Sequence, residues 1–290
     1  MDFIRLLGFV FILNSCAANL QKPTIDLSSS QDAEFKLVKP DAEVSGVAKY
    51  KIEGKGDQQV EWFSCSAQKK GDVVVLINPD FKPFDNKVCR GAVAQAFLNH
   101  NISVFAINRP GYGGSTPKGK DFSGPVTSEA IDAAIATGIT SINWFKKPKG
   151  VWGTGSGVIA AGLLSKRMKD IEWLILGNGV YDVEEFYSKV GDSPYKKMID
   201  EARSEDKADT FFEYRSLAWD TSGLAKSVTL YHGKADAMVS FLQSESMKDT
   251  LAAEEYKVNL ELIEELPHNI SASQHRVILE SILTKWAKTN

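Results

Sequence analysis

The chain of 290 residues is poor in cysteine, with three, and in histidine, with four. No CxxC pair and no His/Cys spacing of the zinc-binding kind occurs, so no metal site is expected. Neither sign of charge is in excess. Lys and Arg number 34 against 37 Asp and Glu, a net charge of −3 with the signs interspersed. A basic footprint is missing, and no nucleic-acid partner is expected. Apolar runs are short: the first, Leu6–Leu13, cannot span a bilayer as a helix. The one glycine-rich stretch lacks the full GxGxxG spacing and its acidic partner, so no dinucleotide is expected and no cofactor is implied. What is present is ordinary globular material, 43% hydrophobic and 24% charged.

The N-terminus differs from the rest. In "MDFIRLLGFVFILNSC", Arg5 precedes the short apolar run, and small or polar residues lead to Cys16. This is the pattern of a secretory signal. "LNSC" resembles a bacterial lipobox, which implies cleavage after residue 15 and lipidation of Cys16. The expectation is an extracytoplasmic protein held at a membrane by its lipid, at the outer membrane or periplasmic face. Residues 16–34, polar and serine-rich, read as a tether. The expected domain is 35–290. Cys65 and Cys89 are then an even pair outside the cytoplasm. They can form a disulfide or stay as two buried thiols, and the sequence leaves both open.

Segments 47–54 and 58–67 read as a hairpin around Lys55-Gly56-Asp57. Val73–Ile77 is a continuous apolar run, as expected of a strand buried on both faces. Further strands are expected at 103–110, 150–153, 172–179, 227–233 and 258–266. Helices are expected at 88–100, 127–146, 241–255 and 272–288. Alternating strand and helix gives an α/β fold, a mostly parallel sheet with helices on both faces. Right-handed crossovers put the strand C-termini on one edge, where a site belongs. Residues 183–225 interrupt the alternation. They are charged, helix-prone and aromatic, and read as a lid over that edge.

Three stretches follow strand ends: "GTGSG" (153–157), "HGKADAMVS" with Asp236, and "LPHNIS" with His268. Acyl transfer requires a nucleophile, a base within reach and an acid that orients the base. The order Ser, Asp, His resembles that of the α/β-hydrolase family. "INPDF" matches that family's oxyanion loop. "NRPGYGGS" resembles the turn after the next strand, with Asn108 in place of the acid. The resemblance covers about residues 47–288. It implies an α/β-hydrolase fold and a serine hydrolase acting on a small acyl substrate, a carboxylic ester before an amide or peptide. In that reading Ser156 attacks, His268 is the base and Asp236 orients it. The Phe81 and Gly157 amides hold the oxyanion, and lid aromatics close over the acyl group. Asp182 is the alternate acid. His232 is expected to be structural, and His100 and His275 to be solvent-facing or capping.

One offset stands against this. The family's elbow is Gly-x-Ser-x-Gly, and here Gly153 and Gly157 flank Gly155, with Ser156 one step late. Small residues two before and two after the elbow let strand and helix approach. Spacing therefore places Gly155 at the elbow, without a side chain. Either the turn slips by one residue and Ser156 still faces His268, or the nucleophile is absent and the chain is a binding or surface lipoprotein that keeps the fold.

Overall fold

The computed structural model describes residues 25–27, 37–69, 71–118, 121–206 and 210–289. The signal, most of the tether and Cys16 lie outside them. The chain opens with an antiparallel pair, β1 (Glu43–Ile52) and β2 (Gly56–Cys65). Then follow β3 (Val73–Ile77), α1 (Ala92–Asn99), β4 (Ser103–Ile107), α2 (Pro125–Ser141), β5 (Gly150–Thr154), α3 (Gly157–Arg167) and β6 (Trp173–Gly177). Three short helices form the insertion, α4 (Val183–Lys189), α5 (Pro194–Asp206) and α6 (Phe211–Arg215). The chain ends with β7 (Ser227–Gly233), α7 (Leu242–Ala253), β8 (Lys257–Ile263) and α8 (Ala272–Thr289).

The sheet runs β1-β2-β4-β3-β5-β6-β7-β8. From β4 to β8 every neighbouring pair is parallel, and β2 meets β4 antiparallel. This is the expected α/β-hydrolase architecture. Alternation sorts the side chains to two faces. Val73, Val75 and Ile77 face the cluster that holds α2, α3, α7 and the insertion. Val74 and Leu76 face the cluster built by α1 and α8. Both faces are covered, so β3, β4 and β5 are buried at every residue.

Two helix boundaries differ from expectation. Within 88–100, Val88–Arg90 is a 3₁₀ turn, and Gly91 takes an extended conformation before α1 begins. The helix expected over 127–146 stops at Ser141, because Ile142 is extended. Trp144 and Phe145 continue the apolar spacing but pack from a loop. Cys65 and Cys89 form a disulfide, Cα–Cα 5.6 Å, tying the end of β2 to the segment that follows the β3 loop. Among the described residues no helix is long and apolar enough to cross a membrane.

Candidate active site

The strand C-termini meet at a cavity of about 560 Å³ whose lining includes Asp80, Phe81, Gly155, Tyr195, Met238 and His268. Asp236 and His268, 32 residues apart, come together there. His268 Nδ1 lies 2.9 Å from Asp236 Oδ2. A carboxylate only accepts, so Nδ1 carries the proton and Nε2 is left as the acceptor. The other Asp236 oxygen accepts the backbone N–H groups of Met238 and Val239, each at 2.8 Å. Burial opposes the charge on Asp236. Hydrogen bonds from His232 and His268 outweigh it and hold the carboxyl well below the ordinary range.

His232 is fully buried. Its Nε2 meets the Val239 carbonyl at 3.0 Å and Asp236 Oδ2 at 3.4 Å, and its Nδ1 meets Ser244 Oγ at 2.6 Å. It fixes the loop that carries Asp236. Asn178, with φ 42°, follows β6 and donates to the Pro267 and His268 carbonyls, while its Oδ1 accepts the Gly233 amide. It joins the ends of β6 and β7 to the histidine loop. Asp182 caps α4 by accepting from the Glu185 amide, which removes it as the alternate acid.

His268 Nε2 is occupied by the Tyr195 hydroxyl at 2.8 Å. Tyr195 comes from α5 of the insertion and is buried between the rings of Phe81 and Phe186. Burial, reinforced by the nearby Asp80, pushes its hydroxyl far above the ordinary range, so it donates as a neutral group. Among the described residues of the insertion, Pro194 and Tyr195 line the cavity. Of the aromatics expected to close over an acyl group, Tyr195 reaches the cavity, and Phe186, Tyr187, Phe211 and Phe212 do not line it. Phe186 and Phe211 fill the core beneath the insertion, and Tyr187 and Phe212 pack against each other with their rings tilted by 48°.

The turn after β5 does not slip. Gly155 holds the left-handed backbone, φ 57°, while Ser156 is already helical, φ −72° and ψ −15°. Ser156 is fully buried. Its hydroxyl donates to Asp80 Oδ1 at 2.5 Å and accepts from Arg109 Nη1 at 2.8 Å. His268, with Asp236 on one nitrogen and Tyr195 on the other, is not joined to it. The structure thus gathers Asp236 and His268 and leaves Ser156 apart, behind the elbow.

The expected oxyanion amides change as well. With Gly155 at the elbow, the amide that follows it is that of Ser156, not Gly157. It donates to Asp80 Oδ2 at 2.7 Å. The Phe81 amide is hydrogen-bonded to the Tyr112 hydroxyl. Phe81 itself has φ 61°, the third residue of a turn closed by Lys82 N–H to the Pro79 carbonyl at 3.3 Å. Arg109, buried beside Asp80, pairs with it at 2.9 Å and also donates to Asn78 and Ser123. Sequence reading noted "INPDF" and "NRPGYGGS" but gave no role to the side chains of Asp80 and Arg109. A charged residue two or three positions past the end of a buried strand is the signal the sequence carries.

His275 is also corrected. It is buried, with Nδ1 3.3 Å from the Tyr231 hydroxyl, which in turn accepts from Trp152 Nε1 at 3.1 Å. Burial, with the charge of Lys82, pushes it down to about 3. His100 caps α1 and meets Glu280 at 3.2 Å. Among the described residues no cluster of His, Cys, Asp and Glu is arranged to hold a metal ion.

Residues 105–290 match the model of the prolyl oligopeptidase family. The chain belongs to the prolyl oligopeptidase family. That family supports a serine-type hydrolase. A puromycin-hydrolyzing peptidase of Mycobacterium tuberculosis superposes with a TM-score of 0.66 at 17% identity, over 84% of this chain and 39% of that one. An acylaminoacyl peptidase of Pyrococcus horikoshii gives 0.67 at 12%, over 86% and 42%. An esterase of Pyrococcus furiosus gives 0.59 at 16%, over 84% and 91%. At these identities the likeness is one of fold. The chain spans about two-fifths of the length of the two peptidases and nearly all of the esterase. No curated protein matches it. At the position where this fold presents its nucleophile, this chain carries Gly155.

Proposed function

We propose that this protein binds a small acyl compound that carries a donor group, a peptide-like amide or a hydroxy- or amino-substituted ester, in the cavity over Gly155 without forming an acyl-serine. The observation that carries this is the pair of backbone conformations at the elbow. The left-handed residue is Gly155, and the hydroxyl of Ser156 is buried against Asp80 and Arg109. An acyl-enzyme needs a nucleophile within hydrogen-bond reach of its base. His268 and Asp236 then serve to hold a ligand: once Tyr195 yields Nε2, His268 accepts a hydrogen bond from the ligand's N–H or O–H.

A second reading is favoured by the intact Asp236–His268 pair and by the family. In it the chain hydrolyses carboxylic esters, or less readily peptides, with Ser156 as nucleophile after the loop bearing Asp80 withdraws. Fluorophosphonate labelling of the mature protein separates the two, with Ser156→Ala and His268→Ala alongside. The first reading expects no labelling of the folded protein and saturable binding of short peptide amides, followed by tryptophan fluorescence. Labelling that both substitutions abolish would establish the second and overturn the first.

We also propose that Cys16 carries the lipid anchor and that the domain lies outside the cytoplasm. The Cys65–Cys89 disulfide supports an oxidising compartment. Metabolic incorporation of an alkyne fatty acid, abolished by Cys16→Ser, is the expected result. Unchanged incorporation in that variant would exclude this anchor.

A further inference from the structure

The hydrolase elbow normally keeps two places free, one for the nucleophile's side chain and one for the oxygen that becomes negative. In this chain a single group stands at both. Asp80 Oδ2 accepts the Ser156 amide at 2.7 Å, the donor that follows the elbow. The same oxygen lies 2.4 Å from where a Cβ on Gly155 would stand. The next atoms are Asp80 Cγ at 3.5 Å and the Tyr195 hydroxyl at 3.6 Å. Removing the Asp80 carboxylate would therefore open the space that a side chain at 155 needs.

The carboxylate is firmly held. Arg109 Nη2 donates to Oδ1 at 2.9 Å and the Ser156 hydroxyl at 2.5 Å, and both side chains of the ion pair are buried. Charge-assisted bonds of this kind are about twice as strong as neutral ones. Asp80 is itself a poor candidate for the nucleophile. Its attack on a carbonyl would require an amide to receive the new oxyanion, and the amide in that position is already bonded to the attacking group.

We infer that Asp80 is a resident anion in the oxyanion hole, matched to the glycine at 155, so that the lost nucleophile and the filled hole are one coupled change. This inference rests on the reading in which Ser156 is not the nucleophile. A ligand carbonyl then cannot place its oxygen on the Ser156 amide. The cavity floor offers an acceptor where a working hydrolase offers donors, and it favours ligands that present a hydroxyl, an amide N–H or an ammonium group there.

The test restores the site in two steps and reads labelling by a fluorophosphonate, with folding followed by circular dichroism. Gly155→Ser alone stays unlabelled, because Asp80 fills the space and the hole. Gly155→Ser with Asp80→Ala becomes labelled at position 155 at least tenfold faster, and His268→Ala abolishes the gain. Should the unpaired Arg109 prevent folding, Arg109→Met is added, which removes both buried charges together. Equal labelling of the single variant would overturn the inference, as would a folded double or triple variant that stays silent. Labelling of the unaltered protein at Ser156 would instead overturn the reading beneath it, so the two failures are distinguishable.

Discussion

The carboxylate of Asp80 and the backbone amide of Ser156, 76 residues apart, are joined by a 2.7 Å hydrogen bond at the one place where this fold ordinarily waits for a negative oxygen. The bond closes the elbow from the side of the β3 loop. It makes the stability of the site depend on a buried ion pair, and that dependence can be measured.

Asp80→Ala leaves the Arg109 guanidinium buried without its carboxylate. Breaking one half of a buried pair costs about 3–5 kcal/mol. We expect a loss of that size in urea denaturation, and a smaller one for Asp80→Asn, whose amide oxygen still accepts from Arg109. A cost below about 1 kcal/mol for the alanine variant would show that the pair does not hold the loop.

Gly153 and Gly157 flank the elbow alike in sequence but not in space. A Cβ on Gly153 would lie 2.6 Å from the Gly157 carbonyl oxygen, a backbone atom with little freedom to move. On Gly157 the nearest atom would be the Asn78 carbonyl oxygen at 3.5 Å. Gly153→Ala is therefore expected to lower stability by about 1–3 kcal/mol. Gly157→Ala, in the first turn of α3, should be neutral or stabilising by up to about 1 kcal/mol. Thermal melts of the two variants check the contrast, and equal effects would contradict it.

His275 sets a pH dependence. Its folded pKa is depressed from 6.5 to about 3. The unfolded chain therefore binds a proton that the folded chain refuses between those values. The stabilisation is fully present above about pH 6.5 and is lost as pH falls toward 3, at up to about 1.4 kcal/mol per pH unit. Asp236, also depressed, adds to the loss below the ordinary carboxylate range. His275→Asn keeps an acceptor for the Tyr231 hydroxyl and does not titrate. Urea midpoints from pH 7 to 4 should fall less steeply for this variant than for the unaltered protein, and parallel slopes would exclude His275 as the source.

Tyr195→Phe removes the hydroxyl on His268 Nε2 and leaves the packing against Phe81 and Phe186 in place. The expected cost is about 1 kcal/mol, that of one neutral hydrogen bond. The informative readout is chemical. Diethyl pyrocarbonate should modify His268 several-fold faster in the variant, as mapped by mass spectrometry. An unchanged rate would mean that Tyr195 does not guard that nitrogen.

Much of the fold is legible in the chain because strands buried on both faces leave continuous apolar runs, as Val73–Ile77 and Ser103–Ile107 do. Asp236 and His268 are placed by the same logic, each just past a strand end on one edge of a parallel sheet. Periodicity misjudged the end of α2, where Trp144 and Phe145 keep a helix's spacing from a loop. It also missed the burial of His275, because one histidine on α8 does not reveal which face meets Trp152 and Tyr231.

The sequence by itself determined a mostly parallel α/β sheet, the edge that carries the site, the Asp and His that meet there, and a tight turn at 153–157. Its spacing favoured Gly155 at the elbow but left open a one-residue slip that would keep Ser156 facing His268, because what decides the slip lies in partners distant along the chain. Tertiary structure decided it. Asp80 arrives from the loop after β3 and Arg109 from the end of β4, and together they bind the Ser156 hydroxyl away from His268. The left-handed conformation then falls on Gly155, which has no side chain and adopts it at the least cost.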